Sequence, residues 1–427
     1  MAAFAFGLVD CNNFYVSCER VFNPRLEGKA VAVLSNNDGC AIARSAEAKA
    51  LGVEMGEPAF KLRRLVDTGN LVLLSSNYAL YGDMSARVMS VLADHAPGIE
   101  VYSIDESFLD LSGMDCVGDL TAWCRRLRAT VRRWTGIPVS IGVGPTKTLA
   151  KLTNRLAKKS PKTDGVLDLV HHSDWLKAAL QRTEVREVWG IGPQFAAACA
   201  LASIRTAWQL SRAEDGWVRK AMGSVGLRTV MELRGTPVHD MDTTPDARQS
   251  CCVSRSFGEA VTGFEDVRDA IVTFATRAAE KIRRDDLVAG AAQVFINTDR
   301  FRRDQPQKSA ATTVRLMPAT SSTPQLIGAA IRGLETIWAD GFEWRRGGVM
   351  LLDLVRPGDV PRDLFTAPPS SRTEGLMAAL DATNAKFGRD AVRYGLAATD
   401  AAWRSHQGAL SPSWTTRWSD VPVAKLG

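Results

Sequence analysis

Histidine is scarce: five in 427 residues, and only His171 and His172 lie near each other. Eight cysteines are scattered, at Cys11, Cys18, Cys40, Cys116, Cys124, Cys199, Cys251 and Cys252, and no CxxC pair occurs. Without clustered His and Cys, neither a zinc site nor a disulfide framework is expected; reduced thiols are the default. No run of about 18 or more apolar residues appears, so no membrane-spanning helix is expected. The opening MAAFAFGLVDCNN is short and lacks a basic start. It reads as a first strand rather than a secretory signal, and a cytoplasmic location is the expectation. The most informative absence is local. Between Leu120 and Thr163 stand eleven Lys or Arg and no Asp or Glu. Such a run is either a solvated face or a surface that meets phosphates.

What is present suits a folded, multidomain chain. Hydrophobic residues make up 45% and charged residues 23%, enough for about two to four packed domains. The net charge of +6 points weakly to an anionic partner. Phe4–Val9 is a short apolar run ending at Asp10, the pattern of a buried strand. Asn12–Phe22 follows with helical character. Lys29–Ser35 reads as a strand, Ala41–Leu51 as a helix rich in Ala, Glu and Lys, and Leu71–Ser75 as a strand. Tyr78–His95 carries apolar residues at helical spacing. Ile99–Ile104 and Phe108–Leu111 alternate as a hairpin with Asp105 and Glu106 at its bend. Gly118–Trp134 reads as a basic amphipathic helix and Ile137–Val143 as another strand. This is a split βαβ, ferredoxin-like order with roughly sixty residues inserted after the first strand. In such a sheet the first and third strands are neighbours, which brings Asp10 beside Asp105 and Glu106.

Beyond Asp168 short helices are separated by Gly. Thr236–Ser250 is polar and reads as a linker. Cys251–Val355 mixes strands with two helices, Val267–Arg284 and Gln325–Trp338, as a second α+β domain. Pro357–Arg372 reads as a flexible connector, and the last fifty-odd residues are weakly patterned.

Three carboxylates carry the chemistry. Two divalent metals about 3.5–4 Å apart can drive in-line phosphoryl transfer, and they require acidic side chains packed together. Mg²⁺ takes oxygen ligands and keeps several waters, so few protein ligands suffice. An Asp-Glu dipeptide alone is commonly a solvated turn. A strand-terminal Asp brought beside a hairpin Asp-Glu is a more specific arrangement. Asp110, on the following strand, reads as structural.

The stretches DCNNFYVSCE (Asp10–Glu19), LSNNDGCAIARSAEAKALGV (Leu34–Val53), SSNYALYGDMSARVM (Ser75–Met89), VYSIDESFLDLSG (Val101–Gly113), IGVGPTKTLAKLTNRLAKK (Ile141–Lys159) and VWGIGP (Val188–Pro193) resemble the Y family of lesion-bypass DNA polymerases, and within it the UmuC branch. The likeness continues through Val253–Glu259 and Ala409–Asp420. It implies a right-hand polymerase: palm 1–25 and 76–167, fingers 26–75, helix-hairpin-helix thumb 168–235, linker 236–250, little finger 251–355 and a C-terminal extension 356–427. It implies error-prone translesion synthesis in the SOS response. Asp10, Asp105 and Glu106 match the family's metal-binding triad for two Mg²⁺, and the backbone carbonyl of Cys11 matches a further ligand. Phe14 and Tyr15 match nucleotide-contacting aromatics, with Tyr15 as the steric gate whose ring excludes a 2′-hydroxyl. From the residues alone, Tyr15 reads rather as a core aromatic on the Asn12–Phe22 helix. Lys158 matches a triphosphate lysine; alone, it is one charge in a basic run. Where many members carry a Tyr and an Arg for the triphosphate, this chain has Ala46 and Lys49, with Arg44 a candidate for the guanidinium.

Gly190 and Gly192 resemble a hairpin whose glycines let backbone N–H groups approach a DNA phosphate; GxG is also an ordinary turn. Asp363, Leu364 and Phe365 resemble a sliding-clamp motif on a tether, though Pro361 stands where its leading Gln is usual, and an incidental apolar pair is the alternative. The resemblance implies primer–template DNA, a dNTP, a UmuD′-like dimer, a RecA filament and the clamp as partners. The rival readings are a palm-type nucleotide cyclase, against which the basic run and the additional C-terminal domain argue, and a non-catalytic DNA-binding scaffold, against which the three acids argue.

Overall fold

The computed structural model describes residues 4–114, 118–242, 247–302, 304–360, 371–388, 390–394, 403, 406–421 and 423. The chain divides into two units, residues 1–35, 39–245 and 409–427 in one, 36–38 and 246–408 in the other.

In the first unit β1 (Phe6–Cys11) and α1 (Phe14–Phe22) precede an insertion with β2 (Val31–Leu34), β3 (Ala41–Arg44), α2 (Ala46–Ala50), α3 (Ala59–Asp67) and β4 (Val72–Ser75). Then come α4 (Tyr78–Ala93), β5 (Gly98–Val101), β6 (Glu106–Asp110), α5 (Leu120–Thr135), β7 (Val139–Gly144), α6 (Lys147–Lys159) and β8 (Val166–Asp168). The main sheet has the order β5-β6-β1-β7-β8, with β1 antiparallel to both neighbours. The first strand lies beside the third, as the element order led us to expect.

Alternation along the strands decides what faces what. Val9 and Cys11 of β1 and Leu109 of β6 enter the core beneath α4 and α5. Phe6, Leu8 and Phe108 turn the other way, against Ala150 of α6. Asp10 and Glu106 continue that second row, so their side chains are delivered to the α6 side. Helix α6 lies close because β7 has glycines beneath it. A Cβ on Gly142 would stand 2.0 Å from the Asn154 backbone nitrogen, and one on Gly144 2.6 Å from that of Ala150.

The insertion builds its own sheet, β3-β2-β4, around Ala30, Ala32, Ala41, Ala48, Val53, Leu62 and Leu71. The expected helix Ala41–Leu51 is corrected here: its first four residues are strand β3. Helix propensity loses to pairing with β2 and to a cap. Ser45 Oγ accepts from the N–H of Ala48 (3.1 Å) and of Val31 (3.1 Å), so the helix cannot start before Ala46.

Helices α7 (Leu176–Arg182), α8 (Pro193–Leu201), α9 (Ala207–Ser211) and α10 (Asp215–Leu233) follow, around Leu180, Val188, Leu210 and Val230. Gly223, at φ 67° and ψ −164°, breaks α10. The second unit holds β9 (Cys251–Val261), α11 (Phe264–Arg284), β10 (Val288–Thr298), β11 (Ser309–Thr320), α12 (Thr323–Ile337) and β12 (Trp344–Val355). Its sheet has the order β11-β10-β12-β9, antiparallel throughout, under a core from Phe257 to Trp344.

The weak pattern after Arg372 does not mean an absence of structure: α13 spans Ser371–Phe387, and residues 409–420 rejoin the first unit. Asp363, Leu364 and Phe365 lie outside the described residues. No helix among the described residues is long and apolar enough to cross a membrane. Every described cysteine is free.

Candidate active site

Backbone register assembles the acidic cluster. Asp10 pairs with Glu106 directly across the β1–β6 ladder, where opposed Cα atoms are about 4.5–5.5 Å apart. The N–H of Cys11 donates to the Asp105 carbonyl at 2.8 Å, which ties the end of β1 to the turn. That turn is organised by Ser103. Its hydroxyl accepts from the N–H of Asp105 (3.2 Å) and Glu106 (3.0 Å) and donates to Asp105 Oδ1 (2.6 Å). Asp110 sits at the far end of the ladder, opposite Phe6, and its Oδ1 accepts from the N–H of Ser112. It is structural, as expected.

The lysines of α6 meet these acids. Lys158 pairs with Asp10, Lys151 with Glu106 at 2.7 Å, and Lys147 with Glu100. Spacings of four and seven residues put the three on one helix face. Lys151 also lies 4.4 Å over the Tyr102 ring and 5.6 Å from that of Trp189. The Lys151 and Lys147 pairs escaped the sequence reading. Their only signal was that face of α6, hidden in a uniformly basic run.

Electrostatics shows the strain of the cluster. Burial pushes the Asp10 carboxyl up from 3.8 to about 6; Lys158 pulls it down, while the charges of Glu106 and Asp105 raise it further. Burial also holds the Cys11 thiol well above its usual range, so that side chain is no nucleophile. The donor set suits a hard divalent cation: carboxylate oxygens whose mutual repulsion a cation relieves. Among the described residues no three His, Cys, Asp or Glu side chains stand ready-made around one point. The ammonium groups of Lys158 and Lys151 take the carboxylates instead, one positive charge for each.

Two cavities flank Lys158. One, about 230 Å³, is lined by Asp10, Glu106, Lys151, Lys158 and Trp189 among others. The other, about 500 Å³, is lined by Asn12, Asn13, Ala46, Lys49, Arg128, Lys158 and Lys159 among others, a set rich in cations. Lys49 donates to Asn13 Oδ1 at 2.7 Å; burial, then Arg44 and Lys158, lower its pKa. Arg44 does not line that cavity. Its guanidinium donates to the Val53 carbonyl at 2.7 Å, and its Nε is buried without a partner. Lys49, not Arg44, therefore faces the cavity beside Lys158. Phe14 is 3% exposed, within the core, and has little surface to offer a nucleotide. Tyr15 is half-buried and stacks on Tyr81 at 4.4 Å and 14°, with Tyr78 edge-on at 6.0 Å.

Gly190 and Gly192 differ in kind. Gly190 has φ +88°, and a Cβ there would meet Thr229 Oγ1 at 2.8 Å, so its glycine is demanded by the fold. Gly192 caps α8 in extended conformation with nothing within 4 Å of its missing Cβ, a surface open to close approach.

The chain has counterparts among known proteins. Residues 9–155 match the impB/mucB/samB family, residues 248–364 its C-terminal domain, and residues 374–424 a domain of unknown function. The chain is 42% identical to Protein UmuC of Salmonella typhimurium over 418 residues, covering 97% of this chain and 99% of that protein. It is 28% identical to DNA polymerase IV of Pelotomaculum thermopropionicum, over 92% of this chain and 95% of that one. In three dimensions it resembles a Y-family DNA polymerase chimera with a TM-score of 0.65 at 20% identity, covering 82% of this chain and 99% of the other. The fold is accordingly that of an α+β, multidomain Y-family polymerase.

Proposed function

The chain belongs to the impB/mucB/samB family, and on that premise we propose that it performs error-prone translesion synthesis in the SOS response by two-metal nucleotidyl transfer. It is a DNA-directed DNA polymerase. The observation that carries the mechanism is the ladder pair Asp10–Glu106, with Asp105 bound next to Cys11 by its backbone.

In this reading Asp10, Asp105, Glu106 and the Cys11 carbonyl hold two Mg²⁺. Bound there, the metals would lower the pKa of the primer hydroxyl and neutralise the leaving pyrophosphate. The protein's own work is positioning. Lys158 borders both cavities, so its ammonium can exchange Asp10 for a phosphate oxygen. Lys49 supplies a second cation to the larger cavity. Tyr15, fixed by Tyr81, lies beneath the sugar and excludes a 2′-hydroxyl. Gly192 offers an unobstructed backbone to a DNA phosphate, while Gly190 shapes its turn.

The domain reading follows the same premise: palm 1–25 and 76–167, fingers 26–75, thumb 168–235, linker 236–250, little finger 251–355, extension 356–427. Partners are primer–template DNA and dNTP and, for regulation, a UmuD′-like dimer, a RecA filament and a sliding clamp docked on Asp363–Phe365, in the cytoplasm. Incubation with primed template, Mg²⁺ and dNTPs, with accessory proteins supplied, tests the proposal. Primer extension supports it. No extension under those conditions favours the scaffold reading, and a cyclic nucleotide product the cyclase.

A further inference from the structure

The last described segment of the chain does not hang free. Ser75 N–H donates to the Ala409 carbonyl at 2.9 Å, and Ala409 N–H returns a bond to Ser75 Oγ at 3.0 Å; Ser75 and Leu410 form a parallel bridge. Asn77, whose side chain caps α4, donates to the Ser411 carbonyl and hydroxyl and to the Pro412 carbonyl at 3.0–3.2 Å. Trp414 stacks on Phe22 of α1 at 5.2 Å and 12°.

One contact leads inward. Ser411 Oγ donates to Glu19 Oε1 at 2.9 Å, and Tyr81 donates its hydroxyl to the same oxygen at 2.7 Å. Glu19 is 1% exposed, and its other oxygen is buried without a hydrogen-bond partner. A carboxylate this dry depends on the few donors it has. Tyr81 in turn carries Tyr15 on its ring face. The terminal segment is therefore joined to the sugar-facing tyrosine through two side chains.

We propose that residues 409–414 are a strap that sets the sugar selectivity of the polymerase, with Ser411, Glu19 and Tyr81 as positioning residues for Tyr15. The proposal rests on the steric-gate reading given above. Removal of the Ser411 hydroxyl takes away one of the two hydroxyls that hold Glu19, so the carboxylate that anchors the Tyr81 ring beside Tyr15 is itself held less firmly. A looser ring admits the 2′-hydroxyl. Selectivity should fall more than catalysis, because the ring does not touch the reacting atoms.

The test is single-nucleotide insertion by the full chain with its accessory proteins, with kcat and KM measured separately for dNTP and rNTP. Ser411→Ala should lower the dNTP/rNTP ratio of kcat/KM by about tenfold, the equivalent of one hydrogen bond to a charged group. Ser411→Thr, which keeps the hydroxyl, should restore the ratio. Tyr81→Phe cuts the same link from the other side and should give the same loss, so a poorly folding Ser411→Ala does not end the test. If Tyr15→Ala abolishes discrimination while Ser411→Ala and Tyr81→Phe keep it, the strap is overturned and the gate stands. If Tyr15→Ala itself keeps discrimination, the gate reading is overturned and the strap's role with it.

Discussion

The two large sheets share one order of elements, strand-helix-strand-strand-helix-strand, and close differently. In the first unit the opening strand β1 is central; in the second the opening strand β9 is at the edge. Burial along each strand gives the reason. Five of the six residues of β1 are buried, leaving only Asp10 partly exposed, as in a strand covered on both faces. β9 buries only Cys251, Val253, Phe257 and Val261, all on one face, and leaves its other seven residues partly or fully exposed, as in a strand with one wet face. Element order therefore permits several sheets, and patterning selects among them. The consequence is chemical. A strand with helices on both sides brings Asp10 into a half-dry place beside a second carboxylate, where a cation is drawn strongly.

The largest effect should come from breaking that ladder pair. Asp10→Ala is expected to lower the single-nucleotide insertion rate by on the order of 10³-fold. Glu259→Ala, an acid on the opening strand of the other sheet, should leave the rate unchanged. Equal losses in both would erase the distinction between the two sheets.

Next is the approach of helix to strand. In Gly142→Ala the new methyl meets the backbone of α6 at 2.0 Å, and backbone cannot step aside. The expected cost is about 3 kcal/mol or more in denaturant unfolding. Because α6 carries Lys151 and Lys158, insertion activity should fall as well. A wild-type unfolding midpoint would show that the helix rides higher on β7 than described.

Much of this was legible, and the reasons differ by element. β1 and β7 were readable because both of their faces are apolar, and the meeting of Asp10 with Glu106 followed from strand order alone. The helix expected over Ala41–Leu51 was half strand: Ala and Arg favour helix, and only the distant pairing with β2 overrides them. Arg44 was one candidate for the triphosphate, and its guanidinium donates to the Val53 carbonyl, nine residues on. Phe14 and Tyr15 are adjacent and similar, yet helix periodicity buries one and leaves the other half-exposed. The Ser411–Glu19 contact spans 392 positions, and no local pattern can announce such a pair.

A third effect is electrostatic. A carboxyl raised in the folded state binds its proton more tightly there than in the unfolded chain. Its ionisation therefore costs stability above the folded value, and the cost vanishes below the unfolded one. For Asp10 the window runs from 3.8 to about 6, a shift equivalent to roughly 3 kcal/mol. Metal-free protein should lose that much stability relative to Asp10→Asn as pH rises through the window. The measurement is denaturant unfolding of both proteins at matched pH in the presence of a chelator. Parallel pH profiles would place Asp10 in water rather than in a buried site beside Glu106 and Asp105.

The smallest effect belongs to the second sheet and sharpens the contrast most. Gly333 lies in α12, and its added Cβ would meet Val294 Cγ2 at 3.2 Å, Thr312 Cγ2 at 3.3 Å and Val314 Cγ2 at 3.4 Å. These are methyl groups on side chains, free to shift by a few tenths of an ångström. Against that crowding stands a gain, because alanine favours helix over glycine by about 1 kcal/mol. The two nearly cancel, and Gly333→Ala should change unfolding stability by less than about 1 kcal/mol. The same chemical change, glycine to alanine where a helix crosses a sheet, should thus be severe in the first unit and nearly silent in the second. The difference lies in what the methyl strikes: the backbone of α6 itself from Gly142, strand side chains from Gly333. A loss at Gly333 as large as that at Gly142 would mean that both helices are seated on main chain, and that the close approach which brings α6 lysines onto the acids is a general feature of these sheets rather than a property of the one that holds the active site.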